Sequence, residues 1–515
     1  MKKLALILSS LIVCSSIVAQ TLLTINDKEI SKQEFEYYYK KNNHIESDTL
    51  SAEAYLDMFI NFKLKVEEAY ALKYDTAASF KEEFDSYRGP IAAKYMNDSI
   101  KRKELEEEAY KNLLKEVEVS HILFRITNPE DSTLAYEKAL AAKKRAKKMD
   151  FNKLAEEVSE DPSVVRNKGY LGWTAGMTMV YPFEKAAFSL KKGKISEPVR
   201  TRFGYHVIKV HNTRPTRGEI QAAHIFKRIP EGADSAQIDA IRKEMHRIRA
   251  VIDNGGEFED LVKAHSEDTN TKKGGVIPFW ITTGSIEKLF EDAAFALKEI
   301  GDVSPVVEAP YGFHIIKLVD KKEIPDYNRW MPQIQTRIAR DERAEILHDS
   351  FINKLKKEYN YKFINNDSII AQFADVTITR EDVESAMVLY PGGEEGQRIE
   401  DWDEYKLKTI IDFNIMLYED SQLERKHPEF ALLMQEYRDG ILLFNISKDV
   451  VWDKASKDED KLKEIHEKGN FDKPYNKVRG IIISQYQDEL EKEWGKELRE
   501  KYTVTINQKV LDSIK

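Results

Sequence analysis

A chain of 515 residues exceeds one domain and, at the usual ~100–200 residues each, holds roughly three or four. Its 42% hydrophobic content supports buried cores, while a charged fraction of 33%, rich in Lys and Glu, favours long solvated helices over a compact single enzyme domain. The net charge of −9 is spread along the chain and forms no basic patch, which argues against a nucleic-acid face.

The N-terminus has the layout of a cleaved secretory signal. Lys2 and Lys3 precede an apolar run from Leu4 to Val13, and Ile17-Val18-Ala19 offers a cleavage site before Gln20 or Thr21. Residues 1–20 are therefore expected to be a signal peptide, and the mature chain to be exported. No later segment is long and apolar enough to span a bilayer. The single cysteine, Cys14, lies inside the signal, so the mature chain forms no internal disulfide. Leu11-Ile12-Val13-Cys14 loosely resembles a lipidation box, with Val13 where a small residue is expected.

Residues 21–116 predict a mostly helical module. Leu22 to Asn26 reads as a short strand, and Ser31 to Glu34 as a capping box before a helix with Phe35, Tyr38 and Tyr39. Leu56, Phe59, Ile60, Leu64 and Val66 mark a second amphipathic helix, and Gly89-Pro90 an interruption in a third. Residues 323–515 echo this module. Ile378 to Asp382 resembles Ile30 to Glu34, Leu407 to Leu417 resembles Leu56 to Val66, and Tyr437 matches Tyr87, all at offsets of 348 to 351 residues. A divergent duplication of the N-terminal module is expected.

Residues 117–213 and 219–322 are two copies of one domain. Val-Ser-His-Ile-Leu around His121 has its counterpart in Ala-Ala-His-Ile-Phe around His224, Ser-Glu-Asp at Asp161 returns at Asp268, Phe-Glu-x-Ala-Ala-Phe at Phe183 returns at Phe290, and Gly-x-His-x-Ile at His206 returns at His314. The offsets run from 103 residues (His121 to His224) through 107 (Asp161 to Asp268, Phe183 to Phe290) to 108 (His206 to His314), a unit too large for a solenoid repeat. Each copy predicts a strand, helices (135–148 and 238–252, then a shorter one), a Gly-rich turn, and a helix around Phe183 or Phe290. Two closing strands follow: Ile195 to Val199 with His206 to Val210, and Val303 to Val307 with His314 to Val319. The order suits an α+β fold with a small antiparallel sheet and several helices.

Both histidines of a copy sit in strands, where alternate side chains share a face, and the aspartate follows a helix. A facial metal triad would use these residue types, but no tight helical His spacing accompanies them. A Ser-His-Asp hydrolase would need an exposed nucleophile, and Ala223 replaces Ser120 in the second copy. Buried histidines that only tie strands together are the plain alternative.

These blocks resemble the parvulin family of peptidyl-prolyl cis/trans isomerases, throughout both copies. The resemblance implies a polar set of His121, Asp161, His206 and the supporting hydroxyl Thr201, with Leu171, Met179 and Phe183 cradling a proline ring. In the second copy it implies His224, Asp268 and His314, with Ile277, Ile286 and Phe290 in the pocket. It implies no cofactor, and X-Pro segments of client polypeptides as partners. Pro278 stands where the family has Gly, and Ile286 replaces the flexible Met, so the first copy is expected to be the better catalyst and the second mainly to bind. The helical flanks, most clearly residues 55–69, resemble the SurA-like periplasmic chaperone-isomerases. That resemblance implies an exported foldase for unfolded outer-membrane proteins; the alternative is a holdase whose repeats only bind extended peptide.

Overall fold

In the first repeat the β-branched run Lys115–Arg125 pairs antiparallel with Gly204–Pro215 along its whole length. Tyr170–Ala175 adds to one side and Val199–Thr201 to the other, giving a four-stranded sheet. Helices Ser132–Ala146, Phe151–Val158 and Tyr181–Ser189 cover it. Ala135, Ala139 and Ala142 let the first helix lie close against Ile122, Phe124 and Val207, while Phe183, Ala187 and Phe188 pack against Val117, Val119 and Ile208. The computed structural model describes residues 20–42, 50–269, 273–324, 326–387, 404–469 and 471–514. The expected signal segment through Ala19, with Cys14, lies outside the described residues.

The second repeat uses the same frame with a smaller sheet. Glu219–Arg228 pairs with Gly312–Lys322, which pairs with Val307–Ala309. Where the first repeat has a fourth strand, the second has only single bridges, Ala223 to Val276 and Ile220 to Ile281. Pro278 sits between them. Proline has no N–H to donate and is poorly suited to a continuous ladder.

Prolines also correct the expected closing strands. Ile195 and Val303 each make one isolated bridge, and the strands proper begin later, at Val199 and Val307. Pro198 and Pro305 fall inside the runs 195–199 and 303–307 and break them.

These repeats, with helices Ser99–Leu113 and Tyr327–Ile338, form a unit of residues 97–354. The other unit joins residues 1–96 to 355–515. In it, hairpin Thr21–Ile25/Lys28–Ser31 leads into helices Lys32–Asn42 and Ala52–Ala71, and hairpin Ile369–Phe373/Val376–Thr379 leads into helices Arg380–Met387 and Glu404–Lys426. Both hairpins carry a bulge at the same place and turn through a left-handed residue, Asn26 (φ 50°) or Ala374 (φ 47°). Each gains a third strand, Val504–Ile506 or Lys362–Phe363, preceded by a long helix. The tyrosine closing that helix bonds a glutamate on the neighbouring one: Tyr502 to Glu68 at 2.7 Å, and Tyr359 to Glu419. Glu419 lies 351 residues after Glu68, the offset already seen between Leu56 and Leu407.

Two local expectations change. The Ser31 hydroxyl accepts the Glu34 amide at 3.1 Å, but the Glu34 carboxylate pairs with Lys63 rather than closing a capping box. Gly89-Pro90 does not interrupt its helix, which runs from Ala78 to Ala92; Pro90 falls in its last turn and ends it soon after. Among the described residues no helix is long and apolar enough to cross a membrane.

Candidate functional site

The register of the two long strands assembles the site. Leu123 lies opposite His206 and His121 opposite Ile208, so the two histidines are diagonal neighbours on one face. Their rings stack nearly parallel, at 17°, with the Nδ1 atoms 3.1 Å apart. His121 Nε2 lies 2.6 Å from Asp161 Oδ2. At the far end, Thr201 Oγ1 lies 2.8 Å from His206 Nε2 and accepts the Phe203 amide at 3.2 Å. The Ser163 amide donates to Asp161 Oδ1 at 2.8 Å, and the Ser159 hydroxyl accepts from Leu123, which anchors the aspartate turn to the sheet.

Both imidazoles are buried, and burial disfavours the cation. It holds His206 down to about 3, helped by the neighbouring imidazole, and lowers His121 despite the pull of Asp161. The Asp161 carboxyl stays below its ordinary value: burial pushes it up, but hydrogen bonds from Ser163 and the nearby His121 outweigh that. With both rings neutral, one proton arrangement suits the line, in which His121 Nε2 approaches Asp161 closely but without hydrogen-bond geometry. Phe203 N–H donates to Thr201, Thr201 O–H to His206 Nε2, His206 Nδ1–H to His121 Nδ1, and His121 Nε2–H faces Asp161. This is a one-way line of oriented dipoles running from a backbone amide to a carboxylate.

An apolar floor lies under it. The Phe183 ring meets both imidazoles edge-on, with centroids at 5.8 and 5.4 Å. Leu171 and Met179 pack against the same cluster as Phe183. The structure thus gathers His121, Asp161, His206, Thr201, Leu171, Met179 and Phe183 in one place.

The second repeat gathers its set too, with one end missing. His224 and His314 also stack, Nδ1 to Nδ1 at 3.1 Å, and His224 Nε2 lies 3.3 Å from Asp268 Oδ2. Phe290 meets both rings edge-on, and Ile277 and Ile286 join its cluster. Ala309, however, occupies the register position of Thr201, each opposite the glycine that opens the last strand. His314 Nε2 is buried with no hydrogen-bond partner. Aromatic rings crowd His314 instead: Phe226 stacks on it at 4.8 Å and Tyr311 meets it edge-on at 5.4 Å. Burial again holds His314 down to about 3 and lowers His224.

Ala309, Phe226 and Tyr311 were not singled out from sequence. Aligning the closing strands of the two copies on their glycines, Gly204 and Gly312, would have exposed the Thr201-to-Ala309 exchange. The repeated Phe-Glu pair likewise contains Glu184 and Glu291, both buried, beside the phenylalanines already noted.

Residues 121–212 and 224–320 match the PPIC-type PPIase domain of the rotamase family. The chain is 30% identical over 219 residues to the Chaperone SurA of Methylobacillus flagellatus, covering 40% of this chain and 48% of that protein. To the Chaperone SurA of Nitrosospira multiformis it is 27% identical over 255 residues, 47% of this chain and 56% of that one. To the Foldase protein PrsA of Geobacillus kaustophilus it is 38% identical over 154 residues, covering 28% and 51%. The match thus spans about half the length of these relatives. Among solved structures, the peptidylprolyl isomerase PrsA of Bacillus anthracis is 31% identical over 29% of this chain and 62% of its own, with a TM-score of 0.19. The parvulin NmPin of Nitrosopumilus maritimus is 37% identical over 19% of this chain and 97% of its own, with a TM-score of 0.16.

Proposed function

Both repeats belong to the PPIC-type PPIase family, and from that premise we propose that this chain is an exported peptidyl-prolyl cis/trans isomerase and chaperone that binds unfolded, outer-membrane-bound proteins in the periplasm. The observation that carries the isomerase reading is the Asp161–His121–His206–Thr201 line lying over the Phe183, Leu171 and Met179 floor. Rotation about a peptide bond faces a barrier of ~18–20 kcal/mol because of C–N conjugation, and X-Pro bonds exchange slowly enough to limit folding. The apolar floor takes the proline ring. The bond is then held beside a fixed line of dipoles in a water-poor site, which favours the twisted amide over the planar one. No bond to the substrate forms or breaks, so no nucleophile and no cofactor are needed.

The chaperone reading rests on the relatives named Chaperone SurA and Foldase protein PrsA, and on apolar side chains left in water in the helical unit. Tyr405, Phe413 and Leu417 recur at four- and eight-residue spacing on one helix, and stand 66%, 55% and 46% exposed. Such a stripe suits extended apolar segments of a client. The export reading rests on the signal-like residues 1–20.

A second reading is favoured by one observation: with Ala309 beside an orphaned His314, the second repeat fits a peptide holder better than a catalyst. The test is refolding of a protein whose slow phase is proline isomerisation, run beside light scattering from an unfolded outer-membrane barrel. Faster refolding together with less scattering is expected. Suppressed scattering without faster refolding would leave a holdase.

A further inference from the structure

Each pocket has a wall carried on a loop beside its sheet; in the first, Thr178 ties that loop to Thr174 and Ala175 of the adjoining strand, at 2.7 Å each. In the first repeat, Met179 is carried on a short loop that passes through Met177 in the left-handed region, at φ 61°. The Met177 amide donates to Glu184 Oε2 at 2.5 Å. In the second, Gly284 (φ 81°) precedes Ile286 by two residues, and its amide donates to Glu291 Oε2 at 2.7 Å. The glutamate beside each ring-facing phenylalanine therefore pins the loop that positions the third floor residue.

A buried carboxylate needs a compensating charge. Burial pushes the Glu184 carboxyl up, against the pull of Arg343, the Asn112 amide and the Met177 N–H. In neither repeat does the compensating arginine come from the domain itself. Glu184 and Arg343 are 0% and 1% exposed, and Arg343 Nη2 lies 2.7 Å from Glu184 Oε1. Arg343 belongs to helix Glu342–Glu358, beyond the end of the second repeat. Its guanidinium covers the Tyr181 ring at 4.2 Å, and Nη1 pairs with Asp341. Tyr181 in turn packs with Leu105, Leu113, Trp330 and Ile334 from helices outside the repeat. Glu291 is met by Arg217, from the linker between the repeats.

We propose that Arg343 is a positioning residue for the first pocket. By neutralising Glu184 it lets that side chain hold the Met177–Met179 wall in the shape that grips proline, so the pocket is complete only when a helix from outside the repeat is docked. The pocket's affinity for substrate is then set by the helical framework as well as by the parvulin domain. This inference rests on the reading of the pocket as a proline site.

The experiment uses the full chain with 13C-methyl methionine, an unstructured Ala-Leu-Pro-Phe peptide as substrate, and the variants Arg343→Met, Arg343→Lys, Glu184→Gln and the double variant R343M/E184Q. In R343M the Met179 methyl signal should move or broaden and KM should rise about fivefold, with kcat changed by less than about twofold, because the lost interaction organises binding. Glu184→Gln still accepts the Met177 amide and needs no cation, so the double variant should recover the wild-type Met179 signal and most of the KM. Lysine keeps the charge but not the fork, so R343K should fall between. If R343M does not fold, R343K and the double variant carry the test. A wild-type Met179 signal and KM in folded R343M or R343K, or no recovery in the double variant, would overturn the proposal. If the wild-type chain does not isomerise the peptide, the functional reading fails instead, and the Met179 signal still reports on the wall.

Discussion

The two repeats share a sheet frame, a stacked imidazole pair and a phenylalanine floor, and they part at the ends of the histidine line. In the first, Thr201 fixes which nitrogen of His206 carries the proton, and Asp161 fixes the same for His121 at 2.6 Å. In the second, the carboxylate has moved to 3.3 Å and a methyl group stands where the hydroxyl was. The histidine pair survives because the strand register enforces it, and that register depends on backbone pairing rather than on Thr201. Fold and site can therefore diverge in one molecule: a sheet keeps two rings stacked long after the groups that orient their protons are gone.

Exchanging those end groups tests the comparison most severely. Thr201→Ala should lower isomerisation by the first repeat about tenfold, since it removes an orienting hydrogen bond and strands His206 Nε2. Ala309→Thr should raise isomerisation by the second repeat several-fold and stabilise the chain by about 1 kcal/mol, read as peptide exchange by NMR and as a higher unfolding midpoint. No gain from Ala309→Thr would mean that the second pocket fails for another reason, with Pro278 the next suspect.

Acid sensitivity should come next. His206 and His314 are held down to about 3 from an ordinary 6.5, so on acidification the unfolded chain takes up these protons first. The stability tied to their neutral forms is present above pH 6.5 and lost as pH falls from there toward 3. The thermal midpoint should decline between pH 6.5 and 5, before most carboxylates titrate. Replacing both histidines by phenylalanine should flatten that slope, whatever it does to the absolute midpoint; an unchanged slope would assign the sensitivity elsewhere. The smallest effect is expected from the floor. Ile286→Met should change peptide affinity of the second repeat only about twofold, because near-isosteric apolar exchanges cost little. A larger change would make the floor, rather than the proton line, the main difference between the copies.

The sequence made much of the repeat frame legible because its signals are periodic or local. The doubled blocks marked the strands carrying His121 and His206, and the resemblance to parvulins, not the spacing, pointed to the floor residues. Contacts made over long range were not legible. Nothing near Glu184 in the chain announces Arg343, 159 residues on, and only the closed fold brings them together. The closing strands begin later than the apolar runs suggest because Pro198 and Pro305 interrupt those runs. The orphaned His314 was missed for a different reason: an alanine carries no signal of its own, and Ala309 acquires meaning only from register with Thr201.

The central claim is that two matching pockets have unequal catalytic power. Proline isomerisation by the full chain should be measured with His121→Ala and His224→Ala as single variants. Loss of about tenfold or more from His121→Ala, with less than about twofold from His224→Ala, is the result the geometry predicts. Equal losses from the two variants would contradict it.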